Sequence, residues 1–470
     1  MELVAHSTDP SLPAAARIPP ELLFEIIRAA LTSSLLSPSF VIHGQFSQPT
    51  VSCRACVYRT LARVSRLWRT LARQVARRDV VLARGCGSAE RDERILNCLR
   101  NAPERGMVVR GIDASLRGAY AGWTPTPAPA SFEEGLSDSA QGQDTGSVTL
   151  ASEPVTRQAR WDHWHEQCMA RERSRLRQIL PLCSLLDTLD VDIGFFHDLP
   201  AVAATILPPT LRRLTLRNCG AKDTFTTVFA LPQLTDLTLR LALHWRLSRD
   251  ATMSSATLPC LQRFELSTTA FGKPDLASVR SLLSNSHVSL RTLSFRNKGA
   301  ASDALEAFKS VAATLIQDHA ERLEELVIQD VPRFPGPDGN GWLPSRPTRL
   351  PQLRHLHLAG LPLPSRHLFT QQLVLPASDS ARGLVSLTVE DFDTLTLDPL
   401  VEALALTRNV EQLDVAVSRE GEMAAVDEAR WREEREKIER WCEEPKGKCG
   451  LSTRLRASWR MVKIEASARW

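Results

Sequence analysis

Residue types that could hold a metal or act as nucleophiles occur in this sequence, but their spacing completes no reactive site. Cys53 and Cys56 form its single C-x-x-C, and no second pair of ligands follows about 15 to 20 residues later, as a structural zinc site requires. His163, His165 and Cys168 lie close together without a further ligand in view. Nucleophile elbows, phosphate-binding glycine loops, H-E-x-x-H and dinucleotide-binding fingerprints do not occur. We therefore expect a protein that is not an enzyme and that uses no metal and no cofactor.

The strongest chemical signal is a run of positive charge. Residues 54–84 contain nine arginines and a single acid, Asp79. Such a run suggests nucleic-acid binding. However, the arginines occupy one side of an amphipathic helix, Trp68 lies on its apolar side, and neither helix-turn-helix nor zinc-finger spacing is present. We predict a solvated helix face and no nucleic-acid partner.

Two amphipathic helical stretches position these arginines. The first begins at Ile18-Pro19-Pro20 and continues as Glu-Leu-Leu-Phe-Glu-Ile-Ile. The second, over residues 59–76, repeats apolar residues at spacings of three and four. A helix of this kind must bury its apolar side against another element, so residues 18–84 are predicted to form a helical module.

These two stretches resemble an F-box. Ile-Pro-Pro-Glu-Leu-Leu-x-x-Ile-Ile is similar to the opening of that motif, and Val64-Ser65-Arg66-Leu67-Trp68-Arg69-x-Leu71-Ala72 to its closing helix. The segment between them, residues 32–58, is longer than in the family. The resemblance implies docking onto the adaptor subunit of a cullin-based SCF ubiquitin ligase. The implied adaptor-binding residues are Ile18, Pro19, Leu22, Leu23, Ile26, Ile27, Val64, Trp68 and Leu71.

Internal repeats decide the architecture of residues 185–420. The pattern L-x-x-L-x-L, with Ile, Val or Phe allowed, occurs nine times, and its starts are 23 to 33 residues apart. The units begin at Leu186, Leu211, Leu234, Leu261, Leu290, Leu323, Leu353, Leu384 and Val410. Each predicts a short strand with inward apolar residues at period two, followed by a helix or loop. Residues 302–319, which carry an apolar stripe, and residues 398–409 are two such return helices.

This part of the chain resembles a leucine-rich repeat domain. The resemblance implies an α/β fold in which a helical F-box-like module is followed by a curved solenoid with one strand per repeat. At the ninth position, where the family prefers Asn or Cys, only Cys219 fits. In proteins with an F-box, the C-terminal domain chooses the substrate. The resemblance therefore implies the substrate-recognition subunit of an SCF-type ligase, with catalysis left to other subunits. The alternative is a leucine-rich repeat scaffold unconnected to ubiquitin, in which the helices only cap the repeats.

Side chains alternate across a strand, so the third, fifth and seventh positions of each unit should point away from the core. Arginines occupy several of these positions in the middle units, mixed with Asp236 and Glu265. They suit a carboxylate-rich or phosphorylated substrate through bidentate pairing, although a merely polar surface is the alternative. His355 and His357 share this face, and we expect surface histidines there. The predicted substrate-binding residues are Arg213, Arg217, Arg240, Arg263 and Arg296.

Length and composition indicate the compartment of the protein and the character of its remaining segments. The 470 residues exceed what one hydrophobic core usually serves, and the net charge of +4 is mild. Ten scattered cysteines, no secretory signal and no long apolar run predict an intracellular protein, cytoplasmic or nuclear, without a membrane partner. The other predicted segments are a disordered N-terminus (1–17), a connecting segment (85–117), a flexible linker (118–158), a capping helix (159–184) and a C-terminal helical cap and tail (421–470).

Overall fold

The structure is a computed structural model. It describes residues 19–33, 61–81, 89–106, 108–114, 174, 176–192, 207–219, 231–241, 258–268, 272–284, 286, 288–297, 300, 302–330, 342, 346–361, 373–374, 384–390, 398, 400, 410, 412–420, 432–433, 435–436 and 456–464. Several sequence predictions lie outside these residues. They are the disordered N-terminus, the linker, Ile18, the Cys53/Cys56 pair, the histidines and cysteine of residues 163–168, and most of the return helix predicted over residues 398–409.

A parallel sheet dominates the described residues. Twelve strands pair in the order in which they occur in the chain, and two shorter strands, β9 and β11, form a separate pair. The strands are β1 Asp79–Val81, β2 Gly111–Ala114, β3 Thr188–Asp192, β4 Arg213–Cys219, β5 Asp236–Leu241, β6 Arg263–Thr268, β7 Thr292–Asn297, β8 Glu325–Asp330, β9 Thr348–Arg349, β10 His355–Ala359, β11 Leu373–Val374, β12 Ser386–Glu390, β13 Gln412–Glu420 and β14 Arg456–Ile464. Strands β1 and β14 are the two edges, so the sheet is not closed.

Helices are interspersed with the strands. They are α1 Pro20–Ser33, α2 Arg66–Arg78, α3 Ala89–Asn101, α4 Pro103–Gly106, α5 Leu276–Leu283 and α6 Ser302–His319. The predicted α/β class is therefore confirmed. Helix α6 has the predicted bounds, and its Phe308, Leu315 and Ile316 are fully buried against the sheet. Helix α5 was missed by the sequence reading, although Asp275 caps it by accepting a hydrogen bond from the backbone N–H of Ser278 at 3.0 Å.

The leucines of the repeated pattern face the core, as predicted. In β5 the side chains of Leu237, Leu239 and Leu241 are buried, while those between them are half-exposed. Neighbouring strands align in register, so Leu237 lies between Leu214 of β4 and Phe264 of β6. Because the repeated pattern places buried apolar residues at the same two positions of β3 to β8, β10, β12 and β13, these residues join with the helices in one continuous core. The opposite face of these strands carries polar side chains.

A short turn precedes several strands. The tag Leu-Pro-x-Leu recurs at Leu231, Leu258 and Leu350, and in each case the second leucine donates its backbone N–H to the carbonyl of the first, at 3.1, 3.1 and 3.2 Å. Proline suits the second position of such a turn because its φ is already set. Both leucines of each tag are buried, so the tag turns the chain and anchors it to the core at the same point.

Buried polar residues end the central strands at the eighth position of the pattern, one place before the family's asparagine. Thr268, Asn297 and Asp330 align in register at the ends of β6, β7 and β8, and all are buried. Asn297 Nδ2 donates to Asp330 Oδ1 at 2.7 Å, and Trp342 Nε1 donates to Asp330 Oδ2 at 2.8 Å. At the corresponding position after β10, Gly360 has φ +67°, and a Cβ there would lie 1.5 Å from the Asp330 carbonyl oxygen.

The N-terminal helices continue directly into the sheet. Helix α2 ends at Arg78, β1 starts at the next residue, and β1 pairs with β2, which pairs with β3. Leu96 and Leu99 of α3 belong to the main core. The segment predicted only to connect the helical module to the repeats thus contributes a strand and two helices. Strands as short as β1 and β2 carry too little alternation to be recognised in sequence.

Candidate functional site

The polar face of the sheet brings together every arginine that the sequence assigned to substrate binding. Arg213, Arg263 and Thr292 occupy one row across the strands, because β4 to β7 align without offset at this position. Arg240 and Arg296 occupy a second row, four residues further along their strands. Parallel strands lie about 4.8 Å apart, so long side chains in one row can reach those on neighbouring strands.

Carboxylates of this same face neutralise three of the five arginines. Arg217 is buried and makes a bidentate pair with Asp190 of β3, with Nε–Oδ1 at 2.6 Å and Nη2–Oδ2 at 2.5 Å. Since two of its donors and both carboxylate oxygens are engaged, this guanidinium is a structural link between β3 and β4. It is not available to a substrate without breaking that pair.

Arg263 lies at the centre of the second ionic group. Its guanidinium is 3.8 Å from Asp236 on β5 and 3.1 Å from Glu325 on β8, so it spans β7, where the hydroxyl of Thr292 also donates to Glu325 at 3.1 Å. These groups are partly exposed, and each pair contributes about 0–1 kcal/mol to stability.

Arg296 is the third neutralised arginine, 3.6 Å from Glu265 on β6. Arg213 differs, because it is exposed and its guanidinium has no ion pair within the described residues. Arg240 is half-buried. On this face arginines and carboxylates therefore alternate and largely pair with one another, and Arg213 is the arginine that stays exposed without an ion pair among the described residues.

Beyond β7 the same face becomes acidic and histidine-bearing. His355 and His357 lie on β10, and His357 Nε2 is 3.5 Å from Glu390 of β12. Asp414 of β13 accepts a hydrogen bond from Gln412 at 2.7 Å. Within the described ranges no three His, Cys, Asp or Glu side chains are grouped as a metal would require. A ligand lying across the sheet would meet arginines at one end and carboxylates with histidines at the other.

The helix pair α1–α2 contains a small core of its own. Leu23 and Ile27 of α1 pack with Leu71, Ala72 and Val75 of α2. Trp68, expected in the adaptor contact, is half-buried against this cluster together with Phe24 and Leu61. Three of the residues predicted to bind the adaptor, Leu23, Ile27 and Leu71, therefore hold the two helices together.

Four other predicted adaptor-binding residues are exposed. Leu22, Ile26 and Val64, with the adjacent Leu67, are between 43 and 55% exposed, and Pro19 is exposed as well. Elsewhere in the described residues, only Val108 and Val288 are large apolar side chains of similar exposure. Leu22 and Ile26 stand one turn apart on α1, so they form one continuous apolar edge beside the buried interface.

The thiol of Cys183 is held in an unreactive form. Cys183 is buried beside the first predicted repeat, and burial raises the pKa of its thiol to about 12. It is protonated at neutral pH and acts as a small apolar residue.

No protein-family model and no curated protein matches the chain. No helix among the described residues combines the length and apolar character needed to cross a membrane.

Proposed function

We propose that this protein is the substrate-recognition subunit of an SCF-type cullin ubiquitin ligase. In this proposal α1 and α2 form an F-box-like module that docks the adaptor, and the sheet with its helices is a leucine-rich repeat solenoid that holds a protein substrate. Tethering both raises the effective concentration of substrate lysines near the ubiquitin-carrying enzyme, which belongs to another subunit.

The exposed apolar edge of the helix pair is the observation that carries this proposal. Leu22 and Ile26 repeat at helical spacing outside a core that is already complete without them. Patches of this kind on a soluble protein mark binding sites. Burying a large apolar side chain contributes about 1.5–3 kcal/mol, so covering four half-exposed residues offers several kcal/mol to a partner.

Strand order supports the second half of the proposal. Each strand of the sheet pairs with the next one in sequence, all are parallel, and the apolar residues repeat in register from β3 to β13. A solenoid needs this arrangement because each repeat contacts only its neighbours. Its polar face is then the surface for the substrate, with Arg213 as an exposed arginine that has no ion pair within the described residues.

Co-purification with the adaptor tests the proposal. The double variant Leu22→Glu/Ile26→Glu places two charges on the apolar edge and leaves Leu23 and Ile27 in place, so we expect a folded protein that no longer retains the adaptor. The control Val108→Glu/Val288→Glu introduces the same charges at equally exposed apolar sites and should retain it. If the wild-type chain captures no adaptor, or if both variants capture it equally, the ubiquitin ligase assignment fails and a repeat scaffold is left.

A further inference from the structure

A stripe of exposed arginines runs along α2 on the side away from α1. Arg66, Arg69, Arg73 and Arg77 are all exposed, and at 100° per residue they fall within about 80° of arc. They extend for about 16 Å along the helix axis. The buried residues Leu71, Ala72 and Val75 lie on the opposite side. We call these four residues the arginine stripe.

The arginine stripe has no acidic partner within the described part of the chain. Arg69 Nε donates to the carbonyl of Ala62 at 3.1 Å, and none of the four guanidinium groups forms an ion pair there. Helix α2 and the five residues before it, together residues 61–78, contain no Asp or Glu. Like charges at this spacing destabilise a helix by a few tenths of a kcal/mol per pair. The four arginines of the stripe therefore repel one another.

Four arginines elsewhere in the described residues do have carboxylate partners. Arg263 and Arg296 pair with carboxylates across the sheet, Arg280 of α5 makes two hydrogen bonds with Asp318 of α6, at 2.7 and 2.9 Å, and Arg291 pairs with a glutamate. The four arginines of the stripe have no such carboxylate among the described residues, although they follow one another along one helix face. Their uncompensated charge points to a ligand from outside.

Geometry favours an acidic protein segment over nucleic acid. Backbone recognition of nucleic acid commonly uses about 6–10 phosphate contacts, more than four arginines supply. The neighbouring helix α1 exposes Glu21 and Glu25, which would repel an anionic ligand of either kind that extended beyond α2, so the ligand must be short. Single strands are held by stacking on exposed aromatic rings, and Trp68 is packed into the helix-pair cluster. The stripe is about one helix wide, and its arginines are about one helical turn apart. A carboxylate-rich segment of similar width can therefore place one carboxylate against each arginine.

We propose that the arginine stripe of α2 binds an acidic segment of a partner protein through bidentate guanidinium–carboxylate pairs. The stripe faces away from α1 and does not involve Leu22 or Ile26. This proposal therefore stands or falls separately from adaptor binding.

Anisotropy of labelled poly-L-glutamate, titrated with the full-length protein at low and at physiological salt, tests the proposal. The stripe variant replaces Arg66, Arg69, Arg73 and Arg77 with Gln, which has nearly the same helix propensity as Arg. We expect its affinity to fall on the order of tenfold to a hundredfold, since four exposed charge pairs are lost. The matched control replaces four exposed arginines of the sheet region with Gln and should bind as the wild type does. Its residues are Arg212, Arg346, Arg349 and Arg354.

Circular dichroism shows whether the stripe variant is folded. If the Gln variant does not fold, a variant with Lys at the same four positions replaces it, because it keeps the positive charge and removes the bidentate guanidinium groups. Equal losses in the stripe variant and the control would overturn the proposal, because net charge alone would then explain the binding. The proposal would also be overturned if the protein bound a duplex oligonucleotide or phosphatidylserine vesicles more tightly than poly-L-glutamate and the stripe variant lost that binding. The stripe would then be a phosphate-binding surface.

Discussion

Asp330 is the buried carboxylate on which the end of β8 depends. It accepts hydrogen bonds from Asn297 Nδ2 at 2.7 Å and from Trp342 Nε1 at 2.8 Å, and Asn297 Oδ1 in turn accepts the backbone N–H of Ala300 at 2.8 Å. Trp342 is completely buried and meets Phe308 of α6 edge-to-face, with ring centroids 5.3 Å apart. One carboxylate thus links β7, β8, α6 and the segment after β8.

Replacing Asp330 with Ala removes the only described acceptor of two buried donors. Each buried donor left without a partner costs about 1–3 kcal/mol. Trp342 and Asn297 can relax only partly, because the tryptophan ring is enclosed by the core, so we expect a loss of about 3–4 kcal/mol in the free energy of unfolding. Asp330→Asn keeps the shape and one acceptor oxygen, and it should lose about half as much.

Urea denaturation followed by circular dichroism measures these losses. Glu321→Ala, at an exposed site in the 3₁₀ turn after α6, is the control and should change stability by less than about 0.5 kcal/mol. Trp342→Phe keeps most of the packing against Phe308 and removes the indole donor. Combined with Asp330→Asn, it should therefore lose less than the sum of the two single variants. A loss below about 1 kcal/mol for Asp330→Ala would refute the assigned role of this carboxylate.

Four further outcomes follow from Gly360, Asp190 and Cys183. Gly360→Ala should lower the free energy of unfolding by at least about 1–2 kcal/mol, because φ is +67° and the added Cβ would meet a backbone oxygen of β8; unchanged stability in urea would contradict this. Asp190→Ala should lower the free energy of unfolding by about 3 kcal/mol, because it leaves Arg217 buried without its carboxylate. Adding Arg217→Met to this variant should recover part of the loss, and strictly additive losses would be inconsistent with a coupled pair. Since burial raises the pKa of Cys183 to about 12, iodoacetamide at pH 8 should label exposed Cys260 and spare Cys183 in the native protein, as mass spectrometry of digests can check. The unfolded thiol ionises near 9 and the native one near 12, so this group should lower stability as pH rises between those values, and a Cys183→Ser variant should lose that dependence.

Local pattern was sufficient for much of the framework. The strands β3 to β8, β10, β12 and β13 lie at the repeated leucines because an apolar residue at every second place has one face to bury, whatever its partner is. Helix α6 was predicted for the same reason, since its stripe recurs at helical spacing over eighteen residues. Strands β1, β2 and β14 were missed, because their short or irregular patterns form strands only when a neighbouring edge supplies the backbone hydrogen bonds.

Assignment of roles within the predicted sites required the tertiary structure. The apolar stripe of α1 could be recognised in the sequence, but α2 decides that Leu23 and Ile27 are buried while Leu22 and Ile26 stay exposed. A stripe wider than its partner always leaves an edge uncovered, and the packing angle chooses which edge.

Charge on the sheet shows the same division. The sequence by itself determined that arginines and carboxylates point away from the core, because alternation along a strand is a local property. Only the folded sheet decided which charges neutralise each other: Arg263 reaches Glu325, 62 residues later and two strands away, and Arg217 reaches Asp190 of the preceding strand. Such pairings depend on the stacking of units whose connecting segments differ in length, so the spacing between two residues in sequence does not give the distance between their side chains.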